Sequence, residues 1–258
     1  MRFGLAIAEC VEPDTDILLR ALDARPTMPH LLLIWVRWDR EQERFRLDPR
    51  LLRELQARDV EPVLSIETTG LRYEDILAGR YDCQLRVLGA KADGCVARVD
   101  QEPMSKGLAP DWYRHPRYVP TFGRVSGLLR DEGDVRVAYC TTAVVEAMAE
   151  FYPGDDACQV VGFDLFSRKE DDPLPPVACR PRVRELDRIA PGKPRWVFET
   201  GRLIGRRGRA PWLGSWQEVE GIEAVMFFDM KVPQGRTSPD DFTWTPAVHA
   251  RFGRMAAP

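Results

Sequence analysis

Short apolar runs of four to eight residues recur along the chain, and segments of helical period separate them. Arg2 to Ala8 reads as a first strand, and Asp14 to Ala24 as a helix with Ile17, Leu18, Ala21 and Leu22 on one face. His30 to Trp38 is a second strand. Asp48-Pro49 then supplies an N-cap followed by proline at the first helical position, with Leu51, Leu52 and Leu55 as the buried stripe. Val60 to Ile66 is the third strand, Tyr73 to Ala92 a helix broken at Gly79 and Gly89, and Gly94 to Val99 the fourth strand. The second half repeats the scheme. Helices are expected over Arg117 to Glu132, Thr142 to Phe151, Arg182 to Ile189, Pro211 to Val219 and Pro246 to Phe252. Strands five to eight are expected over Val135 to Cys140, Gln159 to Asp164, Pro194 to Glu199 and Glu223 to Phe228.

Eight strands alternating with eight helices predict an α/β chain folded as a (β/α)8 TIM barrel, a single domain over residues 1–258. The strand runs are continuously apolar, as parallel strands covered on both faces should be. The competing architecture is a doubly wound open sheet. It usually carries a glycine-rich turn after its first strand, and Glu9-Cys10-Val11-Glu12 offers none. Pro173-Leu174-Pro175-Pro176 reads as a stiff loop after the sixth strand.

With 258 residues, 44% of them hydrophobic, the chain can bury one sizeable core. The longest apolar run, Leu31 to Val36, is far shorter than a membrane span. A net charge of −3 argues against nucleic acid or an anionic membrane as partner. Six cysteines include no CxxC pair, and three histidines (His30, His115, His249) show no zinc-like spacing, so free thiols and no metal or organic cofactor are expected. The sequence enters its first strand without a signal-peptide pattern, which predicts a cytoplasmic protein unless a leader has been removed.

In such a barrel, chemistry is built where the strands end. The third strand ends in Glu67, the fourth in Arg98, Asp100 and Glu102, the fifth in Tyr139. The sixth ends in Asp164 and Phe166, the seventh in Glu199, the eighth in Asp229. Carboxylates therefore gather at one mouth. Glycosidic hydrolysis needs one carboxylic acid to protonate the leaving oxygen and a second to attack the anomeric carbon or activate water. Glu102 and Glu199, on facing sides of the barrel, fit those two tasks. The structural alternative is that each glutamate pairs with a nearby arginine.

Particular segments resemble glycoside hydrolase family 26, the β-mannanase-type family of retaining (β/α)8 enzymes. They are VEPVLSIET (60–68), ILAGRYDCQLRVLGAKA (76–92), CVARVDQEPMSKGLAPDWY (95–113), FYPGDDACQVVGFDLF (151–166), KPRWVFETG (193–201) and AVMFFDM (224–230). The resemblance implies Glu102 as acid/base and Glu199 as nucleophile. It also implies that Arg98 lies in the barrel and steadies the nucleophile carboxylate. The chain departs from the family's His-Glu-Met-Asn-Gly with Gln101-Glu102-Pro103-Met104-Ser105, has Tyr139-Cys140 where the family has a Trp, and has Phe166 where Tyr is usual. These changes point to a changed substrate rather than to mannan.

The reading is thus a retaining hydrolase of a β-linked oligo- or polysaccharide. Arg98, Asp100, Gln101, Glu67 and Asp164 are expected around the substrate, with the two catalytic carboxyl groups about 5–5.5 Å apart. Trp38, Trp112, Tyr113 and Trp212 are candidate platforms for sugar rings, and Tyr139, Phe166 and Asp229 complete the candidate lining. Arg202 lies in an Arg- and Gly-rich stretch (Gly201 to Arg209) that reads either as a loop over the site suited to an acidic sugar, such as a uronate or a sugar phosphate, or as a solvated flexible loop. A second reading stays open. It is a non-hydrolytic barrel, either a carbohydrate-binding or polysaccharide-assembly component or a biosynthetic enzyme with other acid–base chemistry.

Overall fold

A computed structural model describes the chain except residues 8–9, 11–12, 69–70, 101–116, 142–144, 146–147, 170, 203–208, 230, 233–239, 242–243, 245 and 257–258. Its strands are β1 (Arg2–Ile7), β2 (Leu31–Asp39), β3 (Arg44–Phe45), β4 (Glu61–Glu67), β5 (Val96–Val99), β6 (Arg136–Thr141), β7 (Val160–Ser167), β8 (Arg195–Arg202), β9 (Ala224–Asp229), β10 (Lys231–Val232) and β11 (Asp240–Asp241). The helices are α1 (Thr15–Asp23), α2 (Pro49–Gln56), α3 (Tyr73–Leu77), α4 (Asp82–Lys91), α5 (Tyr118–Glu132), α6 (Pro175–Ile189), α7 (Arg209–Ser215) and α8 (Pro246–Ala256). β1, β2, β4, β5, β6, β7, β8 and β9 pair in that order, all parallel, and β9 returns to β1. The sheet is therefore a closed eight-stranded (β/α)8 barrel. β3 folds back antiparallel on β2, and β10 pairs with β11.

Local chemistry sets the helix starts. Asp14 accepts from the Ile17 amide at 3.0 Å and caps α1, and Asp48 accepts from the Arg50 amide at 2.9 Å and caps α2. α6 begins at Pro175, so the expected Pro-rich loop supplies the first helical residues instead. The helix expected over 142–151 is not formed at its described end, where residues 148–151 lie in a turn. Gly79, with φ of +83°, separates α3 from α4. Gly89 breaks nothing. It lies inside α4, where any Cβ would strike the Leu129 backbone, and its bare surface lets α4 and α5 touch. The cysteines are free; five are buried and Cys83 is exposed.

The lower barrel is plugged by polar groups. Glu61 of β4 takes ion pairs from Arg2 of β1 and Arg136 of β6, and both guanidiniums lie over the Trp196 ring, at 4.9 and 5.7 Å from its centroid. Above this floor β8 breaks its regular alternation. Val197 stands opposite Phe163, but Glu199 stands opposite Asp164, so one extra residue is inserted. This is a β-bulge, which re-aims the side chains that follow it.

Candidate active site

Because of the bulge, two consecutive residues of β8 reach the same guanidinium. Arg98 lies 5.8 Å from the Phe198 ring centroid and forms an ion pair through Nη2 with Glu199 Oε1. In an unbulged strand neighbours point to opposite faces. Arg98 itself projects inward from β5 and is fully buried. Its Nη1 donates to both oxygens of Asp164 at 3.2 and 3.3 Å, and its Nε donates to Ser65 Oγ at 3.0 Å. The Cys140 thiol of β6 stands 3.5 Å from Asp164 Oδ1. Five strands thus converge on one cation. Two buried carboxylates around one buried guanidinium are stable only as a set, since an unpaired buried charge is costly.

The interior floor of the mouth is aromatic. Trp35 of β2 meets Phe228 of β9 edge-on at 5.9 Å, and Phe166 of β7 meets the same ring at 5.3 Å. Glu67, at the end of β4, pairs with Arg37 at 3.1 Å. A groove of about 860 Å³ leads from Trp35 past Arg37 to the β2–β3 hairpin, where Trp38, Arg44 and Arg46 line it. Trp38 is fixed there between Phe45 and Tyr81, both 5.2 Å away.

Several residues expected around the substrate take other contacts. Tyr139 is buried and donates its hydroxyl to the Met148 carbonyl at 2.8 Å. Its neighbour Cys140 is the one that meets Arg98, so Tyr139 faces the opposite side of β6. Burial pushes the Tyr139 phenol above its ordinary pKa, which suits a structural hydroxyl. Asp229 pairs with Arg25 at 2.8 Å and accepts from the Trp244 amide at 2.7 Å, with His249 Nε2 3.6 Å away, so it ties β9 to the helical layer. Trp212 lies in α7 and packs against Trp216 and Phe227. Asp100 is buried and turned to Thr68 and Tyr73, from which it accepts three hydrogen bonds. Arg202 is half-buried at the last position of β8. Gln101, Glu102, Trp112 and Tyr113 lie outside the described residues, and so does the separation of the two glutamates.

Sequence reasoning missed Ser65 and Cys140 as members of the Arg98 cluster. In strands that are apolar throughout, a serine or cysteine carries no mark of which face it occupies.

No protein-family model matches the chain, and no curated protein matches it in sequence. Solved structures do resemble it. A GH26 β-mannanase from Bacteroides ovatus, BoMan26A, is 14% identical over 99% of this chain and 88% of its own, with a TM-score of 0.65. A double mutant of the endo-β-1,4-mannanase of Cellulomonas fimi is 17% identical over 100% of this chain and 70% of its own, with a TM-score of 0.69. A β-glycosidase from Pyrococcus horikoshii is 11% identical over 99% of this chain and 93% of its own, with a TM-score of 0.68. At such identities the likeness is one of fold: the barrel is of the kind that GH26 mannanases and other glycosidases share.

Proposed function

We propose that this chain is a retaining glycoside hydrolase acting on a β-linked oligo- or polysaccharide, with Glu199 as nucleophile and Glu102 as acid/base. The observation that carries the reading is the buried ion pair of Arg98 with Glu199 at the barrel mouth. A nucleophilic carboxylate must be ionised and aimed before substrate arrives. Arg98 does both by charge and by a fixed donor, while Asp164 and Ser65 hold the guanidinium from its other sides. Glu199 would attack the anomeric carbon and form a glycosyl-enzyme as the glycosidic bond breaks. Glu102 would give its proton to the leaving oxygen, then take one from the water that releases the sugar. Gln101 stands where a histidine is usual in the family, and its amide donates a hydrogen bond without adding charge.

The groove, which shares Trp35 with the aromatic floor and has a volume in the range of ligand pockets, would give a polymeric substrate room beside the mouth. Of the arginines along it, Arg37 is paired with Glu67 and Arg46 with Asp39, so the acidic-sugar reading rests on Arg44, whose guanidinium fork would match a carboxylate or phosphate. Phe228, Phe166 and Trp35 would pack the apolar face of the ring being cleaved.

The test is turnover. Wild type, Glu199→Ala and Glu102→Ala are assayed on aryl β-glycosides and on neutral and acidic β-glycans, and the first-formed anomer is read by NMR. Hydrolysis with retention, lost in both variants, is expected. Absence of turnover on every substrate, with oligosaccharide binding unchanged in the variants, contradicts hydrolysis and favours a non-hydrolytic barrel.

A further inference from the structure

At the end of β5 the chain does something that costs free energy twice. Asp100 has φ of +45°, in the left-handed region that residues with a Cβ rarely adopt. Its carboxyl group is also buried, where an ionised form is poorly solvated. Strained backbone of this kind persists only where its surroundings fix it, and it gathers at functional sites.

The surroundings here are specific. The Asp100 amide donates to the Ile66 carbonyl at 2.9 Å, so pairing with β4 continues up to this residue. Its Oδ1 then accepts from the Thr68 amide at 2.7 Å. Its Oδ2 accepts from Thr68 Oγ1 at 2.5 Å and from the Tyr73 hydroxyl at 3.2 Å. Thr68 and Tyr73 are themselves fully buried, so these donors are not supplied by mobile surface groups. One carboxyl therefore ties the end of β5 to the turn after β4 and to α3. A glycine would make the same turn at less cost but would tie nothing. The residue two positions further along the sequence is Glu102.

We propose that Asp100 is a positioning residue: by pinning the left-handed end of β5 to Thr68 and Tyr73, it fixes the direction in which the chain sets out toward Glu102. The role rests on the proposed hydrolase reading, and acts through Glu102 without contact with substrate. A general acid contributes only when its proton lies within hydrogen-bond reach of the leaving oxygen, and a displacement of about 1 Å can cost about 10²-fold.

That logic gives a readout which mere structural support would not move. Leaving groups differ in their need for protonation: dinitrophenolate departs unaided, whereas phenolate and a sugar alkoxide need the acid. Asp100→Asn and Thr68→Val are compared with wild type in kcat/KM over aryl glycosides graded from dinitrophenyl to phenyl. Thr68→Ser, which keeps a hydroxyl donor, serves as the conservative control. In both test variants phenyl glycosides are expected to lose roughly ten- to a hundredfold and dinitrophenyl glycosides less than about threefold. Thr68→Ser is expected to restore most of the loss seen in Thr68→Val. If Asp100→Asn does not fold, the Thr68 pair carries the comparison. An equal loss over all leaving groups, or no loss on any, overturns the positioning role and leaves hydrolysis standing. A wild type that turns over neither aryl glycosides nor β-glycans overturns the hydrolase reading, and the role of Asp100 with it.

Discussion

Arg98 on β5 and Glu199 on β8 form an ion pair inside the barrel, and neither side chain is more than 7% exposed. The pair exists because a bulge in β8 turns Glu199 to the same side as Phe198. Energetically it belongs to a larger unit, since the same guanidinium also holds Asp164 and Ser65.

Removing the cation should therefore cost more than a cavity. In Arg98→Met the aliphatic stem is kept and two buried carboxylates lose their partner. Destabilisation of about 3–5 kcal/mol is expected, measured by urea denaturation. A change below about 1 kcal/mol would mean that water or another cation already neutralises Glu199 and Asp164.

Asp100 gives a pH dependence of defined sign. Burial raises its pKa from 3.8 to about 6, against the lowering effect of bonds from Thr68 and Tyr73, and nearby Glu67 adds to the rise. The folded protein thus binds this proton more tightly than the unfolded chain does. The contribution to stability is fully present below about pH 4 and is lost as pH rises through about 6. Asp100→Asn abolishes the titration. The stability difference between variant and wild type should shift by roughly 2–3 kcal/mol in the variant's favour between pH 4 and pH 7. A difference that stays constant over that range would place the Asp100 pKa near its ordinary value.

Gly89 tests helix packing against helix propensity. Alanine at an ordinary helix position gains up to about 1 kcal/mol over glycine. At Gly89 the added methyl would meet the Leu129 carbonyl and Cα of α5, which are backbone and cannot rotate away. Gly89→Ala is expected to destabilise by about 1–3 kcal/mol in thermal or urea unfolding. A stabilised variant would show that α4 and α5 stand further apart.

The barrel itself was legible because each element carries its own physics. Buried parallel strands read as unbroken apolar runs, and Asp48-Pro49 announces a helix by capping. Arg98 and Glu199 were legible as charges in otherwise apolar strand runs, although Glu199, expected to end its strand, lies within β8, which continues to Arg202. What was not legible depends on register. A continuous apolar strand hides which residues face in, so Tyr139 was expected at the mouth although Cys140 is the residue that reaches Arg98. The β8 bulge has no composition signature. Asp229 was expected to end its strand at the mouth just as Glu199 was, yet it pairs with Arg25 in the helical layer, a contact that only tertiary packing decides. Gly89 looked like a helix breaker because propensity is local, whereas the close approach of Leu129 is not.

The most direct test of the account is covalent trapping. A 2-deoxy-2-fluoro glycoside with a dinitrophenyl leaving group, matched to whichever sugar the enzyme cleaves, is incubated with wild type and with Glu199→Gln. Intact mass and peptide mapping are then read. The account predicts one glycosyl adduct per chain on Glu199 and none in the variant. An adduct on another residue, or an active wild type that releases inverted product and never accumulates an adduct, would contradict it.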